Sequence, residues 1–364
     1  MRILHTESSK GWGGQEIRIL NEAKGMRDRG HKIIFAVNRG GQLIEKARKE
    51  GFTVHELSFT KQASLQTIFQ LVRLIKKHAI DLVNTHSSLD AWIGGIAARI
   101  VGTSIIRTRH LSTPIRSGLN SYLLYKALAD FIVTTSSSII PMIAKQAKLP
   151  LSRLLCIPTG IIPSQLHVDA QAVKQFRDSL RLGPNDVLVG TVCFVRSWKG
   201  IDDLLKAAQL LQDRKEIKWV VVGGGHVNDF RHKLKELKLE ETVIFTGHLD
   251  VPYPAIAAMD IFLLLSTAHE GISQASLQAA YLSRPLITTN IGGLPEVCID
   301  GKTGRIVPPF SPQEVAKAVS SLLDSPSERH AMGLKAKDLV ATTYTLQQTL
   351  DKMELVYQLF LEKK

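Results

Sequence analysis

Cysteine is scarce in this sequence of 364 residues: Cys156, Cys193 and Cys298 stand far apart, with no C-x-x-C and no histidine at metal-ligand spacing. Three scattered thiols exclude a disulfide framework and read as reduced structural cysteines. No apolar run approaches the ~20 residues of a membrane span. Met1-Arg2-Ile3-Leu4-His5 is too short an apolar start for a signal peptide, so a cytoplasmic protein is expected. No two aspartates lie two apart, which removes any D-x-D pair that would hold a metal. Nothing in the composition, 44% hydrophobic and 22% charged, reads as disordered, and the length suits two domains of ordinary size.

Charge is plentiful but uneven. Residues 1–163 hold 23 Lys/Arg against 10 Asp/Glu, whereas residues 164–364 hold 23 against 23, so the net charge of +13 lies wholly in the first part. Such a surface suits a polyanionic partner, membrane phosphates or nucleic acid. No helix-turn-helix, zinc or RNA-recognition pattern accompanies it, and nucleic acid is not expected.

Short β-rich runs near 1–5, 31–37, 53–57, 81–85, 104–108 and 130–135 alternate with helical patterns, which predicts a parallel α/β sheet. The first run ends in Gly11-Trp12-Gly13-Gly14, a turn able to cradle a phosphate or a sugar before a helix to about Arg29. A dinucleotide fingerprint would need glycine at position 16, which is Glu16. Two further strand ends carry polar residues, Thr85-His86-Ser87-Ser88 and Arg107-Thr108-Arg109-His110, at the edge where parallel sheets meet ligands. His86 fits a structural or a functional role equally well. The stretch Pro114 to Phe131 mixes Leu, Tyr and Phe with Arg116 and Lys126, and reads either as an interfacial helix or as a helix packed on the sheet. The run 154–165, with two prolines and a glycine, reads as an interdomain link.

The alternation restarts with strands near 187–193, 217–222, 242–246, 260–265, 285–289 and 304–307, a second Rossmann-like sheet. After its first strand, Arg196-Ser197-Trp198-Lys199-Gly200 places two cations beside a helix start, a pattern that suits a diphosphate. Gly223-Gly224-Gly225 and Asp300-Gly301-Lys302-Thr303 lack the remaining residues of a dinucleotide fingerprint and a P-loop. From His269 to Glu296 the chain packs a strand end, a turn, a helix and a second strand into one run. Glu270-Gly271 precedes a helical pattern starting near Gln274, where free backbone N–H groups suit an anion or sugar hydroxyls and a carboxylate can accept from those hydroxyls.

The ordered fragments Glu270-Gly271, Gln278, Ser283-Arg284-Pro285 and Gly292-Gly293-Leu294-Pro295-Glu296 resemble the signature of the retaining nucleotide-sugar glycosyltransferases of family four. That family carries a second glutamate where this chain has Gln278, and proline-asparagine-glycine where this chain has Pro158-Thr159-Gly160. Its usual arginine would fall at Phe194, so Arg196 carries over less directly than Lys199. The resemblance implies the GT-B arrangement of two Rossmann-like parallel-sheet domains facing a cleft. Residues 1–163 would form the acceptor-side domain, 164–344 the nucleotide-sugar donor domain, and 345–364 a helix crossing back to the first.

It further implies that Glu270, Lys199, Arg196 and His110 carry the chemistry, with Gly13, Gly14, Gly271, Ile272 and Gln278 binding the nucleotide sugar. No cofactor or metal is expected. The partners implied are a nucleotide-diphosphate sugar, a glycan or glycolipid acceptor such as lipopolysaccharide or another cell-envelope glycan, and an anionic membrane surface met by the first domain. The protein would then sit on the inner face of the cytoplasmic membrane. A sugar-nucleotide epimerase, a glycogen-synthase-like enzyme and a degenerate non-catalytic scaffold of the same fold remain alternatives.

Overall fold

Strands buried on both faces read as nearly unbroken apolar runs, and the computed structural model, which describes residues 1–361, places a parallel strand at each run named above. Met1–Gly160 together with the helix Leu346–Leu361 form one unit, and Ile161–Thr345 form the other. The sequence set these boundaries at 163/164 and 344/345. They fall at Gly160/Ile161 and Thr345/Leu346 because the two crossings are tied: the Ile161 amide donates to the Tyr344 carbonyl at 2.8 Å, and Ile161 bridges Thr345.

In the first unit, β1 (Arg2–Glu7), β2 (Lys32–Asn38), β3 (Thr53–Leu57), β4 (Leu82–Thr85), β5 (Ser104–Arg109), β6 (Phe131–Thr134) and β7 (Leu154–Cys156) pair in the order β3-β2-β1-β4-β5-β6-β7. The last of these was read as link from the sequence. Leu154, Leu155 and Cys156 instead register against Ile132, Val133 and Thr134, and only the chain beyond them crosses over. The stretch from Pro114 forms a loop, the single helical turn Leu119–Tyr122 and a wider π-type turn Leu123–Ala127, in place of one continuous helix.

The helix Gly14–Asp28 buries Ile19, Ala23 and Met26 at helical spacing, facing Ile3 and Phe35 of the sheet. The C-terminal helix joins the same core through Leu350, Met353, Val356 and Phe360, each of which contributes roughly 1.5–3 kcal/mol by burial. Arg29 fixes that helix with ion pairs to Asp351 and Glu354, both at 2.5 Å.

In the second unit, β8 (Val187–Val192), β9 (Ile217–Val222), β10 (Val243–Gly247), β11 (Ile261–Leu264), β12 (Leu286–Thr289) and β13 (Gly304–Val307) pair in the order β10-β9-β8-β11-β12-β13, all parallel. In each sheet the order reverses once, between β1 and β4 and between β8 and β11. The carboxyl ends of those strands are where open parallel sheets bind ligands, and the chain leaves them into the polar loops singled out above.

Candidate functional site

The second unit gathers most of the residues read from the sequence. The loop after β8 carries Arg196 to Gly200, the loop after β11 carries Ser266 to Gly271, and the sheet sets these two loops side by side. Their backbones interlock. The Thr267 amide donates to the Trp198 carbonyl at 2.8 Å. Gly200 adopts φ +69°, and a Cβ there would lie 2.0 Å from the Leu265 carbonyl oxygen, so only glycine admits this approach.

The interlock delivers Lys199 Nζ to Glu270 Oε1 in a short charge-assisted hydrogen bond, with side-chain exposures of 18% and 7%. Ser266 Oγ donates to the same carboxylate oxygen at 2.6 Å, and Thr289 Oγ1 at the end of β12 donates to the Ser266 carbonyl at 2.5 Å. Glu270 therefore lies on the loop leading to the helix Gln274–Tyr281, turned back toward the sheet, while Ser273 caps the helix. Behind it the Gly293 amide donates to the Glu270 carbonyl at 3.3 Å. A Cβ at Gly293 would come within 2.8 Å of the Gly271–Ile272 peptide. The glycine pair after β12 thus lets one loop seat on the other.

The Arg196 guanidinium lies 4.7 Å from the Phe194 ring centre and 5.1 Å from that of Trp198. Phe194, the departure from the family pattern, and Trp198 together position it through cation–π contact. Gln278 lies half-buried on the helix Gln274–Tyr281, and Ile272 is buried beside Gly271. A cavity of about 430 Å³ opens alongside the helix Ile201–Leu210, lined among others by Ser197, Lys233 and Phe310, but neither Lys199 nor Glu270 lines it.

The first unit holds the other candidates. Gly13 caps the helix Gly14–Asp28, and its amide donates to Glu16 Oε2 at 2.8 Å, so that donor is spent within the loop. A Cβ at Gly14 would meet nothing within 4 Å, leaving space for a ligand. His110 ends a chain of three buried imidazoles: His5 Nδ1 lies 2.9 Å from His86 Nε2, and His86 Nδ1 lies 3.0 Å from His110 Nε2. Burial lowers His5 to about 3 and holds His86 and His110 well below the usual histidine range, so all three are neutral near pH 7. In His110 only Nδ1 remains to meet a substrate.

Beside them, Glu7 accepts from Ser9 N at 2.6 Å, Ser87 Oγ at 2.6 Å and Gln15 Nε2 at 2.5 Å. Burial, reinforced by the charge of Asp90, pushes Glu7 up to about 8. Asp90 accepts from Thr6, Ser8 and the His86 and Ser87 amides, and burial raises it to about 6.

Sequence reasoning missed Ser266 as the clamp on Glu270, Trp198 as the platform for Arg196, and the Glu7–Asp90 and His5–His86 partnerships. A hydroxyl ending β11 was a legible signal. The others depend on strand order. Among the described residues no three His, Cys, Asp or Glu side chains form a metal-holding group, and no helix is long and apolar enough to cross a membrane.

Two family models match. The one described as Glycosyltransferase Family 4 covers residues 12–165, and the one described as Glycosyl transferases group 1 covers residues 173–339. The alpha-D-kanosaminyltransferase of Streptomyces kanamyceticus is 25% identical over 68% of this chain, a match that takes in 64% of that protein, less than two thirds of its length. A GDP-mannose-dependent alpha-(1-6)-phosphatidylinositol monomannoside mannosyltransferase of Mycolicibacterium smegmatis is 27% identical over 80% of each chain. Among solved structures, HepE of Anabaena in complex with UDP superposes with a TM-score of 0.88 over 98% of this chain and 100% of its own, at 19% identity.

Proposed function

This chain belongs to the family-four glycosyltransferases of the GT-B fold, and from that premise we propose that it moves a sugar from a nucleotide-diphosphate donor to a hydroxyl of a glycan or glycolipid acceptor. The resemblance to the family implies a transfer that retains the anomeric configuration, and the lack of a D-x-D pair supports one that uses no metal. The observation that carries it is the convergence of Lys199, Glu270 and Ser266 at the point where the second sheet reverses its strand order.

In such a transfer the hard step is departure of the nucleoside diphosphate while the sugar becomes oxocarbenium-like. An ammonium has three N–H donors, of which Lys199 gives one to Glu270 and keeps two for the β-phosphate. Arg196, held over two aromatic rings, adds a second cation to the developing charge. Glu270, oriented by Ser266 and Lys199, accepts from sugar hydroxyls with the Gly271–Ile272 backbone beside it. Gln278 accepts from the ribose, and His110, Gly13 and Gly14 of the first unit are assigned to substrate binding on the strength of the family resemblance.

The name of the Mycolicibacterium relative carries a phosphatidylinositol acceptor, which favours a cell-envelope glycolipid here too. The membrane surface would be met by the first unit, where Leu119 and Tyr122 are 70% and 42% exposed and Lys126 lies 5.1 Å from the Tyr122 ring centre. The protein would then be cytoplasmic and peripheral on the inner face of the cytoplasmic membrane. A panel of nucleotide sugars tests the reading, scored by release of nucleoside diphosphate and by proton NMR of the anomeric centre of the product. Release from one donor with retention is expected, and no release or thermal stabilisation from any donor would refute the assignment.

A further inference from the structure

After β13 the chain runs through Pro308, Pro309, Phe310 and Ser311 into the helix Pro312–Asp324, and Phe310 adopts φ +57°. A bulky residue in that left-handed region is strained, where glycine would sit freely. The other non-glycine residues with positive φ, among them Ala79, Lys148 and Ser283, are small or polar. Burial does not offset the strain. At 74% exposure, Phe310 is the most exposed large apolar side chain among the described residues. Its backbone is held instead by the buried Asp203, whose carboxylate accepts from the Phe310 and Ser311 amides. A strained residue whose side chain packs on nothing is an outlier that points to a use for that side chain.

The Phe310 ring lines the cavity of about 430 Å³ in the second unit, a volume within the roughly 300–1,000 Å³ of small-molecule sites. The helices Ile201–Leu210 and Asn228–Glu236 supply its charged groups. Three carboxylates, Asp202, Asp203 and Glu236, stand against two ammonium groups, Lys206 and Lys233, and Lys233 is spent in a short hydrogen bond to Asp202. That excess of negative charge disfavours a phosphate or any other anion. Among the described residues these carboxylates form no metal-holding group. Glu236 and Lys206 make no ion pair or side-chain hydrogen bond among the described residues, which leaves one free acceptor and one free donor on the wall. An aromatic face beside such groups suits a neutral ring with an apolar face and hydroxyls around its edge.

We propose that this cavity is a second carbohydrate site, in which Phe310 stacks on a neutral pyranose ring, Glu236 accepts from its hydroxyls and Lys206 donates to them. Neither Lys199 nor Glu270 lines the cavity, so it is separate from the place assigned to the donor sugar. The inference rests on the glycosyl-transfer reading only for the source of the bound sugar, a unit of the glycan being extended. The site itself stands on the strained, exposed ring and the charge balance of the wall. Asp203 is a positioning residue that fixes the turn presenting Phe310.

The test is saturation-transfer difference NMR on the full chain in the presence of UDP and GDP. The probes are methyl α-D-glucopyranoside, methyl α-D-mannopyranoside, methyl α-D-galactopyranoside and N-acetyl-D-glucosamine, each titrated for affinity. At least one of them should bind saturably. Phe310→Gly should weaken that binding roughly 10-fold, as loss of an aromatic face does, while its Tm stays at or above the wild-type value because glycine relieves the strain. Phe310→Trp keeps an aromatic face and should keep the affinity within about threefold. Glu236→Gln, which removes a charged acceptor, should weaken binding several-fold.

The proposal is overturned if no probe binds the wild type, or if Phe310→Gly titrates like it. Competition by uridine or guanosine for the Phe310-dependent site overturns it too, since the ring would then be a nucleobase platform. So does a Phe310→Gly protein that loses binding together with several degrees of Tm, because the ring would then serve the fold. If a glycoside binds through Phe310 but no nucleotide sugar is turned over, the site stands and the transferase reading falls. Turnover without glycoside binding gives the reverse.

Discussion

Replacing Lys199 by methionine separates what the cation does for the fold from what it does for the reaction. Glu270 is only 7% exposed, and without the ammonium it keeps one hydrogen bond, from Ser266 at 2.6 Å. Removing one partner of a buried ion pair costs about 3–5 kcal/mol, and the 18% exposure of Lys199 puts this case at the lower end. For a unit of this size, about 3 kcal/mol lowers the Tm by roughly 6–12 °C. Turnover should fall by ~10²–10³, as it does when one stabiliser of developing charge is lost. In the double variant Lys199→Met/Glu270→Gln no uncompensated charge is left, and the amide still accepts from Ser266. Its Tm should return to within a few degrees of the wild type while its turnover stays at or below that of Lys199→Met. Differential scanning calorimetry and single-turnover release of nucleoside diphosphate read the two effects separately. A double variant as unstable as Lys199→Met, or a Lys199→Met protein with near-normal turnover, would refute the reasoning.

Glu7, raised to about 8 from an ordinary 4.5, binds in the folded state a proton that the unfolded chain has already lost, so its contribution to stability is present at low pH and is lost as pH rises through that interval. Relative to the wild type, Glu7→Gln should therefore be more stable at about pH 9 than at about pH 5, and urea denaturation showing a constant difference would exclude the assignment. Gln278→Glu converts a neutral acceptor, proposed to meet the ribose, into a charged one, which should tighten donor binding by about 1 kcal/mol or leave it unchanged, with the same sugar preference. A clear loss of affinity by calorimetry would mean that Gln278 meets a different group. The basic first unit should float with vesicles containing anionic lipid and not with neutral ones, since each Lys or Arg at such a surface contributes about 1 kcal/mol. Equal recovery with both would remove the membrane from the proposal.

The strands were legible because parallel sheets bury both faces, so Ile33 to Val37 or Ile261 to Leu264 can hardly be anything else. Leu154–Cys156 was not, because three residues followed by Ile157-Pro158 carry no periodicity and gain strand character only from pairing with β6. The residues after Pro114 illustrate the opposite error. Their amphipathic composition suggested one helix, yet Arg109, donating to the Leu111 and Thr113 carbonyls, pins the loop entering this stretch, and helical structure resumes only at Leu119.

Strand order is the information a sequence withholds most completely, and here it decides the chemistry. His5 and His86 are 81 residues apart and meet because β4 lies beside β1; Lys199 and Glu270 are 71 apart and meet because β11 lies beside β8. Motif reading located both halves of the second pair yet assigned them separate ligands, diphosphate for one and sugar for the other. Whatever Lys199 does for a leaving group, it does while sharing charge with Glu270, so the carboxylate proposed to hold the sugar also sets the strength of the cation beside it. The glycines follow the same logic. Gly200 and Gly293 stand where phosphate-cradling turns would be sought, but their missing Cβ atoms are filled by Leu265 and by the Gly271–Ile272 peptide. They act through the loops they allow to interlock, and the pairing of Lys199 with Glu270 depends on that interlock.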